Sequence, residues 1–224
     1  MNLKDEIHIL KKQFLYKIEM INEMGIPAIY EDTSKYNNNR EEIIIKLNTE
    51  IKNCVKCGLH KTRTNAVPGE GDINAKLVFI GEAPGEEEDK EALPFIGAAG
   101  QLLSKIINAM GLKREDVYIC NVLKCRPPEN RNPENDEILA CESYLHKQLE
   151  IIKPEVICTL GNFACHVLLH TEKNITSLRG KIYTYYGIKV IPTLHPAACL
   201  YNPANKKLVW EDIQKIMKIF RRIK

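Results

Sequence analysis

The feature that most restricts this chain's fold is an alternation that begins at residue 76. Four short, uninterrupted apolar runs, "KLVFIG" (76–81), "DVYICNV" (116–122), "EVICTL" (155–160) and "IKVIPTL" (188–194), are separated by segments of helical period. A run apolar at every position, not every second one, suits a strand covered on both faces. Helices are predicted near 98–110, 133–152 and 161–170, with a last one over 204–222. Gly111 ends the first; Asn132 as N-cap and Pro133 at the first helical position open the second, which stops before Pro154. Strands alternating with helices imply a three-layer α/β/α sandwich around a mainly parallel, four-stranded central sheet. "KIYTYYGIKVIP" reads as a hairpin turning at Gly187, which would make the last strand pair antiparallel.

Upstream, Leu3, Ile7, Leu10, Phe14, Ile18 and Ile21 recur at spacings of three and four, predicting an amphipathic helix over 3–24 that Gly25 and Pro27 end. "EDTSKYNNNR" is a polar linker, and a short helix follows through Ile51. The chain therefore divides into a helical N-terminal extension, residues 1–50, and a main domain, residues 51–224. No apolar run reaches membrane-spanning length, and "MNLKDEIHILKKQF" is too charged for a secretory signal, so a cytoplasmic protein with no membrane partner is expected. In a reducing compartment the eight cysteines are metal ligands, catalytic thiols or core residues before they are disulfides. A net charge of +3 is too small to point to nucleic acid, and the basic C-terminus reads first as a solvated helix face.

In open parallel sheets, ligands bind beyond the carboxyl ends of the strands. The first run leads into Gly81-Glu82-Ala83-Pro84-Gly85, the second into Asn121, and the last into His195-Pro196. Three polar or glycine-rich features are thus expected around one pocket. "GEAPGEEED" contains neither G-x-G-x-x-G nor a P-loop lysine, and its acids would repel a phosphate, which argues against a dinucleotide site. Taken singly, His195 is a structural histidine, Asn121 a turn residue and Phe95 core. At a pocket mouth, His195 gains a role as donor to a developing anion, Asn121 presents an amide suited to a pyrimidine edge, and Phe95 offers a stacking face.

Cys54 and Cys57 form a C-x-x-C that, alone, is either half of a metal site or a redox pair. Its place ahead of the first strand counts against a thioredoxin-like role. Two further ligands are best supplied by Cys125 and Cys141. Cys120, Cys158 and Cys165 sit in apolar settings that suit core thiols, and Cys199 is ambiguous. Four thiolates suit zinc or an iron–sulfur cluster, and spacing does not choose between them.

Together, C-x-x-C (54–57), "GEAPGEEED" (81–89), "LPFIGAAGQLL" (93–103), "NVLKCRPPENRNP" (121–133), Cys141 and "LHPA" (194–197) resemble, in order and spacing, the family 4 uracil-DNA glycosylases, the iron–sulfur branch of the uracil-DNA glycosylase superfamily. The resemblance runs from about Cys54 to Ile223. It implies a structural [4Fe–4S] cluster on Cys54, Cys57, Cys125 and Cys141, and a deoxyuridine flipped out of single- or double-stranded DNA by a monomeric, monofunctional repair enzyme. Gly81 and Gly85 would shape the pocket. Phe95 would stack on uracil, Asn121 would pair with its O4 and N3–H edge, and Glu88 would guard its C5 edge against thymine. His195, with backbone N–H groups near Glu82 and Ala83, would stabilise charge developing at O2. Ala83 stands where better-known relatives carry a water-positioning aspartate, which leaves Glu82 as the nearest carboxylate. "CRPPENRNPEN" has no histidine to capture the sugar, so no covalent adduct is expected. "HPAACLYNPANKK" would be a loop entering the minor groove with Leu200 or Tyr201 as wedge, and Arg179, Lys206 and Lys207 would contact phosphates. The competing readings are a zinc-stabilised nucleic-acid-binding module without catalysis and a C-x-x-C oxidoreductase.

Overall fold

The computed structural model describes residues 33–221; the helix predicted over 3–24 lies outside them. The four apolar runs form β2 (Leu77–Gly81), β3 (Tyr118–Asn121), β4 (Val156–Leu160) and β6 (Ile188–Thr193), each parallel to its neighbours among these four. Two short antiparallel strands, β1 (Glu70–Gly71) and β5 (Tyr183–Tyr185), extend the sheet to six in the order β1-β3-β2-β4-β6-β5. The hairpin expected at Gly187 is present: Tyr186 and Gly187 both take positive φ, 44° and 84°, between the paired Tyr185 and Ile188. Two left-handed residues twist the turn in the sense that the strands need.

Alternate residues of the central strands feed two separate cores. Leu77, Phe79, Ile119, Val156 and Cys158 pack on one face against α3 (Ala98–Ala109), α6 (Ile175–Leu178), α7 (Pro196–Tyr201) and α8 (Asn205–Arg221). Val78, Ile80, Tyr118, Cys120 and Ile157 pack on the other against α4 (Asn135–Ile152) and α5 (Asn162–Leu169). This is the expected α/β/α sandwich. Gly111, at φ 78°, turns the chain out of α3, and the Leu112 N–H returns to the Ile107 carbonyl. The start of α4 differs from the expectation. Glu134 is its N-cap, with Glu137 accepting from the Glu134 N–H at 2.9 Å, so Asn132 and Pro133 belong to the loop before it. No helix among the described residues is long and apolar enough to cross a membrane.

Helix α1 (Thr33–Lys52) extends beyond the short helix read from sequence, and the compact unit begins at Arg40, ahead of the boundary expected at residue 51. Arg40 donates from Nε to the Ile151 carbonyl at 2.8 Å and from Nη2 to the Ile152 carbonyl at 2.9 Å, taking up two of the orphan carbonyls at the end of α4. Ile44, Leu47 and Ile51 pack in a third apolar cluster with Leu59, Leu123, Tyr144, Cys125 and Cys141. Helix α2 (Glu86–Glu91) occupies the acidic stretch.

Arg179, expected on DNA phosphates, is engaged inside the protein. Its Nε and Nη2 each donate to Asp212 at 3.0 Å, and Nη2 also donates to the Leu208 carbonyl. Asp212 is fully buried and accepts from the Thr193 hydroxyl at 2.8 Å as well, so the pair fastens α8 to β6. Arg179→Met is expected to destabilise the fold by about 3–5 kcal/mol, because Asp212 loses its counter-ion while remaining buried. The urea midpoint reads this. An unchanged midpoint with weakened DNA binding would restore the phosphate contact.

Candidate active site

The strand order places a topological switch at β2, which has β3 on one side and β4 on the other. Ligand crevices open beyond the carboxyl ends of strands at such points. A cleft of about 340 Å³ lies here, lined by Glu82, Ala83, Pro84, Gly85, Glu88, Phe95, Asn121 and His195. The three strand-end features therefore meet in one place. Pro127, Asn130 and Arg131 complete the wall from the loop after β3.

Gly81 pairs with Asn121 across the sheet, and the two groups packed over it determine what that position tolerates. A Cβ on Gly81 would lie 2.4 Å from the Asn121 Oδ1 and 2.4 Å from the tip of the Phe95 ring. Phe95 itself is held at φ 53°, in the left-handed region that a phenylalanine rarely occupies. Arg114 secures that turn: it donates to the Phe95 carbonyl at 3.0 Å and the Pro94 carbonyl at 2.6 Å while pairing with Glu70 at 2.7 Å. Gly100 lets α3 approach from behind, since a Cβ there would sit 1.8 Å from the Phe95 carbonyl oxygen. Glu88 closes the same turn. One of its oxygens accepts from the Ile96 and Gly97 N–H groups, both at 2.9 Å, and the other from the Gly85 N–H at 3.2 Å. It lines the cleft with a carboxylate already occupied by backbone.

Asn121 is 2% exposed, and its Oδ1 has no hydrogen-bond partner among the described residues. A buried amide oxygen without a donor costs about 1–3 kcal/mol, which a bound ligand's N–H would recover. The His195 ring lies 5.6 Å from that of Phe95, tilted by 35°. Its Nδ1 accepts from the Ala197 N–H at 3.2 Å, which leaves the proton of a neutral imidazole on Nε2. Burial in the cleft pushes its pKa down to about 4 against the raising effect of Glu88, so the ring is a neutral donor at physiological pH. Burial also raises the Glu82 carboxyl to about 7.

Cys54, Cys57, Cys125 and Cys141 line one small void together with His60, Arg63, Lys124 and Tyr144. Cys54 follows the last turn of α1, Cys57 opens a 3₁₀ turn at Gly58–Lys61, and Cys141 lies on α4. Three N–H donors reach the sulfurs: Arg63 Nη1 to Cys125 at 3.0 Å, the Lys124 N–H to Cys141 at 3.3 Å, and the Lys56 N–H to Cys54 at 3.5 Å. Asp89 holds the backbone that follows Arg63, accepting from the Thr64 N–H at 2.9 Å and the Asn65 N–H at 3.2 Å. Burial raises the thiols of Cys57 and Cys125 and takes that of Cys141 to about 11. The raised Cys57 thiol is the opposite of the acidified thiol that a redox C-x-x-C uses. Among the described residues no three His, Cys, Asp or Glu side chains are grouped to hold a single metal ion. Cys120, Cys158, Cys165 and Cys199 are buried in the cores.

Of the expected DNA contacts, Leu200 is 47% and Tyr201 91% exposed at the end of α7, which is a helix where a loop was expected. Lys206 and Lys207 are exposed and make no ion pair among the described residues. Arg114, Arg63 and Lys124 carry no signal of these contacts in the sequence, since their partners at Phe95, Cys125 and Gln148 lie 19, 62 and 24 residues away. Gly81→Ala is expected to fold but to displace the Phe95 ring and the Asn121 amide, weakening binding of free uracil, the base implied by the resemblance, about tenfold or more. Titration of the variant with uracil checks this, and unchanged affinity would show that the cleft is not built on this contact.

Residues 68–214 match the family described as the uracil DNA glycosylase superfamily. The chain is 52% identical over 176 residues to the type-4 uracil-DNA glycosylase of Saccharolobus solfataricus, covering 75% of this chain and 82% of that protein. It is 46% identical over 187 residues to the type-4 enzyme of Thermotoga maritima, covering 82% of this chain and 97% of that one. A type-5 uracil-DNA glycosylase of Pyrobaculum aerophilum matches at 29% identity, covering 68% of this chain and 74% of that protein. With its cleft at the switch point of a parallel sheet and this likeness over most of its length, the chain belongs to the uracil-DNA glycosylase superfamily and, within it, to the type-4 uracil-DNA glycosylases.

Proposed function

We propose that this protein excises uracil from DNA by hydrolysing the N-glycosidic bond, with Asn121 and His195 reading and then stabilising the departing base. The observation that carries the reading is the buried Asn121 Oδ1 without a donor among the described residues, on a residue that lines the same cleft as a neutral histidine. Uracil's N3–H suits that oxygen, and its O4 suits the amide N–H₂. Cytosine presents an amino donor beside a bare ring nitrogen, and an amide held in that one orientation would leave the oxygen unsatisfied against it; rejection of cytosine therefore depends on the amide being kept from turning over. Phe95 supplies the stacking face. Glu88 acts at the C5 edge through the turn that it holds rather than with a free carboxylate.

As the glycosidic bond lengthens, negative charge gathers on uracil O2. The His195 Nε2–H is a neutral donor for that charge, and its neutrality makes charge stabilisation rather than proton transfer its role. Backbone N–H groups near Glu82 and Ala83 would assist. Glu82, raised by burial, becomes the carboxylate that orients water as pH passes through about 7. The loop from Cys125 to Asn135 carries no histidine, which supports turnover without a covalent adduct. Leu200 and Tyr201 are the wedge candidates, with Tyr201 the more exposed, and Lys206 and Lys207 remain for phosphates.

The four converging cysteines fit a [4Fe–4S] cluster. The donor set is all thiolate, and N–H groups stand on three of the sulfurs. When bound, such a cluster supplies four covalent attachments between α1, the loop after β3 and α4. A zinc-stabilised binding module would leave the orphaned amide and the neutral histidine without purpose.

The test is single-turnover release of uracil from a defined oligonucleotide across pH. Asn121→Ala and His195→Ala are each expected to slow excision about 100-fold or more. The wild-type rate is expected to rise through about pH 7, whereas Glu82→Gln gives a flat profile from about pH 6 to 9, because His195 remains neutral throughout. Wild-type rates in both of the first two variants would contradict the assignment, and an inflection retained in Glu82→Gln would remove Glu82 from the water-orienting role.

A further inference from the structure

Between the base-reading asparagine and the cysteines lies a buried amine that neither role employs. Lys124 is 1% exposed. Its Nζ donates to the Asn121 carbonyl at 2.7 Å and to the Gln148 Oε1 at 2.6 Å. Gln148, on α4 and fully buried, donates from Nε2 to the Pro68 carbonyl at 2.8 Å and to the Tyr118 hydroxyl at 3.2 Å. The lysine's own N–H reaches the Cys141 Sγ at 3.3 Å, and its carbonyl accepts from the Val67 N–H at 2.6 Å. No carboxylate is among its hydrogen-bond or ion-pair partners in the described residues.

Burying an amine is costly unless its hydrogen bonds are made, and a methionine of similar length would fill the same space without that penalty. What the amine adds is a fixed Asn121. The side chain of Asn121 has no protein partner for its Oδ1, so the orientation of the amide depends on its backbone and on the walls at Gly81 and Phe95. We propose that Lys124 is a positioning residue for uracil recognition: it ties the Asn121 backbone through Gln148 to α4, the helix that carries Cys141. The tie continues through Pro68 and Tyr118, so the end of β3 is held from the protein interior while its amide faces the ligand. This role rests on the reading of Asn121 as the residue that pairs with the base.

A double-mutant cycle of Lys124→Met and Asn121→Ala tests it, with three readouts: single-turnover excision, inhibition by free uracil, and affinity for DNA carrying an abasic site. Lys124→Met is expected to slow excision about tenfold and to weaken uracil inhibition by a similar factor, leaving abasic-site affinity within about twofold. In the Asn121→Ala background the same change is expected to have less than about a twofold effect on excision. A general loss of folded protein would not separate uracil from abasic DNA in this way. An equal loss in both backgrounds, or a Lys124→Met enzyme with wild-type excision and uracil inhibition, overturns the proposal. Should Lys124→Met fail to fold, Gln148→Met removes the lysine's second anchor and goes through the same cycle, where non-additivity supports the role and additivity overturns it. A wild-type-like Asn121→Ala would sink the base-reading assignment and this role with it. An impaired Asn121→Ala beside a wild-type-like Lys124→Met would sink this role alone.

Discussion

The rest of the structure depends on how the chain after β3 is held. From Asn121 to Asn135 it is rich in proline, charge and amide, and it has too little apolar surface to fold on its own. Yet this stretch begins at Asn121 and supplies Pro127, Asn130 and Arg131 to the cleft wall. Its order comes from its ends. Cys125 and Cys141 are buried against α1 and Tyr144, facing Cys54 and Cys57 across a common void. Arg63 joins two of these parts, donating to the Cys125 sulfur at 3.0 Å and to the Lys52 carbonyl at the end of α1 at 3.0 Å. The cysteines are best understood as scaffold, and the reactive end of the segment as its asparagine.

The cleft follows from the sheet. The strand order reverses at β2, between its parallel neighbours β3 and β4, and a crevice opens beyond the carboxyl ends there, into which the polypeptide leaves three strands. The residues around it are small where the backbone must approach and clamped where it is strained. Gly81 allows a ring and an amide to meet over the strand, Gly100 admits a helix behind Phe95, and Arg114 and Glu88 occupy the carbonyls and N–H groups of the turn that carries the ring. Electrostatics then assigns the roles. The same dry environment keeps His195 uncharged and raises the Glu82 carboxyl to about 7.

Much of this was legible in sequence because it follows from local pattern. Continuous apolar runs gave the four parallel strands, and positive φ at Gly187 and Gly111 came where glycine was expected to turn the chain. β1 escaped because two residues, Glu70 and Gly71, with Gly69 ahead of them, leave no apolar period to detect. The start of α4 was misplaced because Asn132-Pro133 is also good loop chemistry, and the Glu134–Glu137 contact outweighs it. Arg179 reads as a surface cation because its partner Asp212 lies 33 residues away, where only the folded chain brings the charges together. Lys124 was invisible for a related reason: a lysine between a leucine and a cysteine reads as surface, and its acceptors are a carbonyl and an amide on separate elements.

The central claim is that a cysteine-held metal group organises the loop that reads the base. Its most direct test is to quantify iron, acid-labile sulfide and zinc in the purified protein, and to follow uracil excision as the metal is removed by oxidation and chelation. The expected result is a brown protein with about four irons per chain that absorbs near about 400 nm, and whose excision activity falls in step with its iron while the helix and strand signal is retained. A colourless protein with one zinc per chain, or an iron-depleted protein that excises uracil at the full rate, would contradict the account.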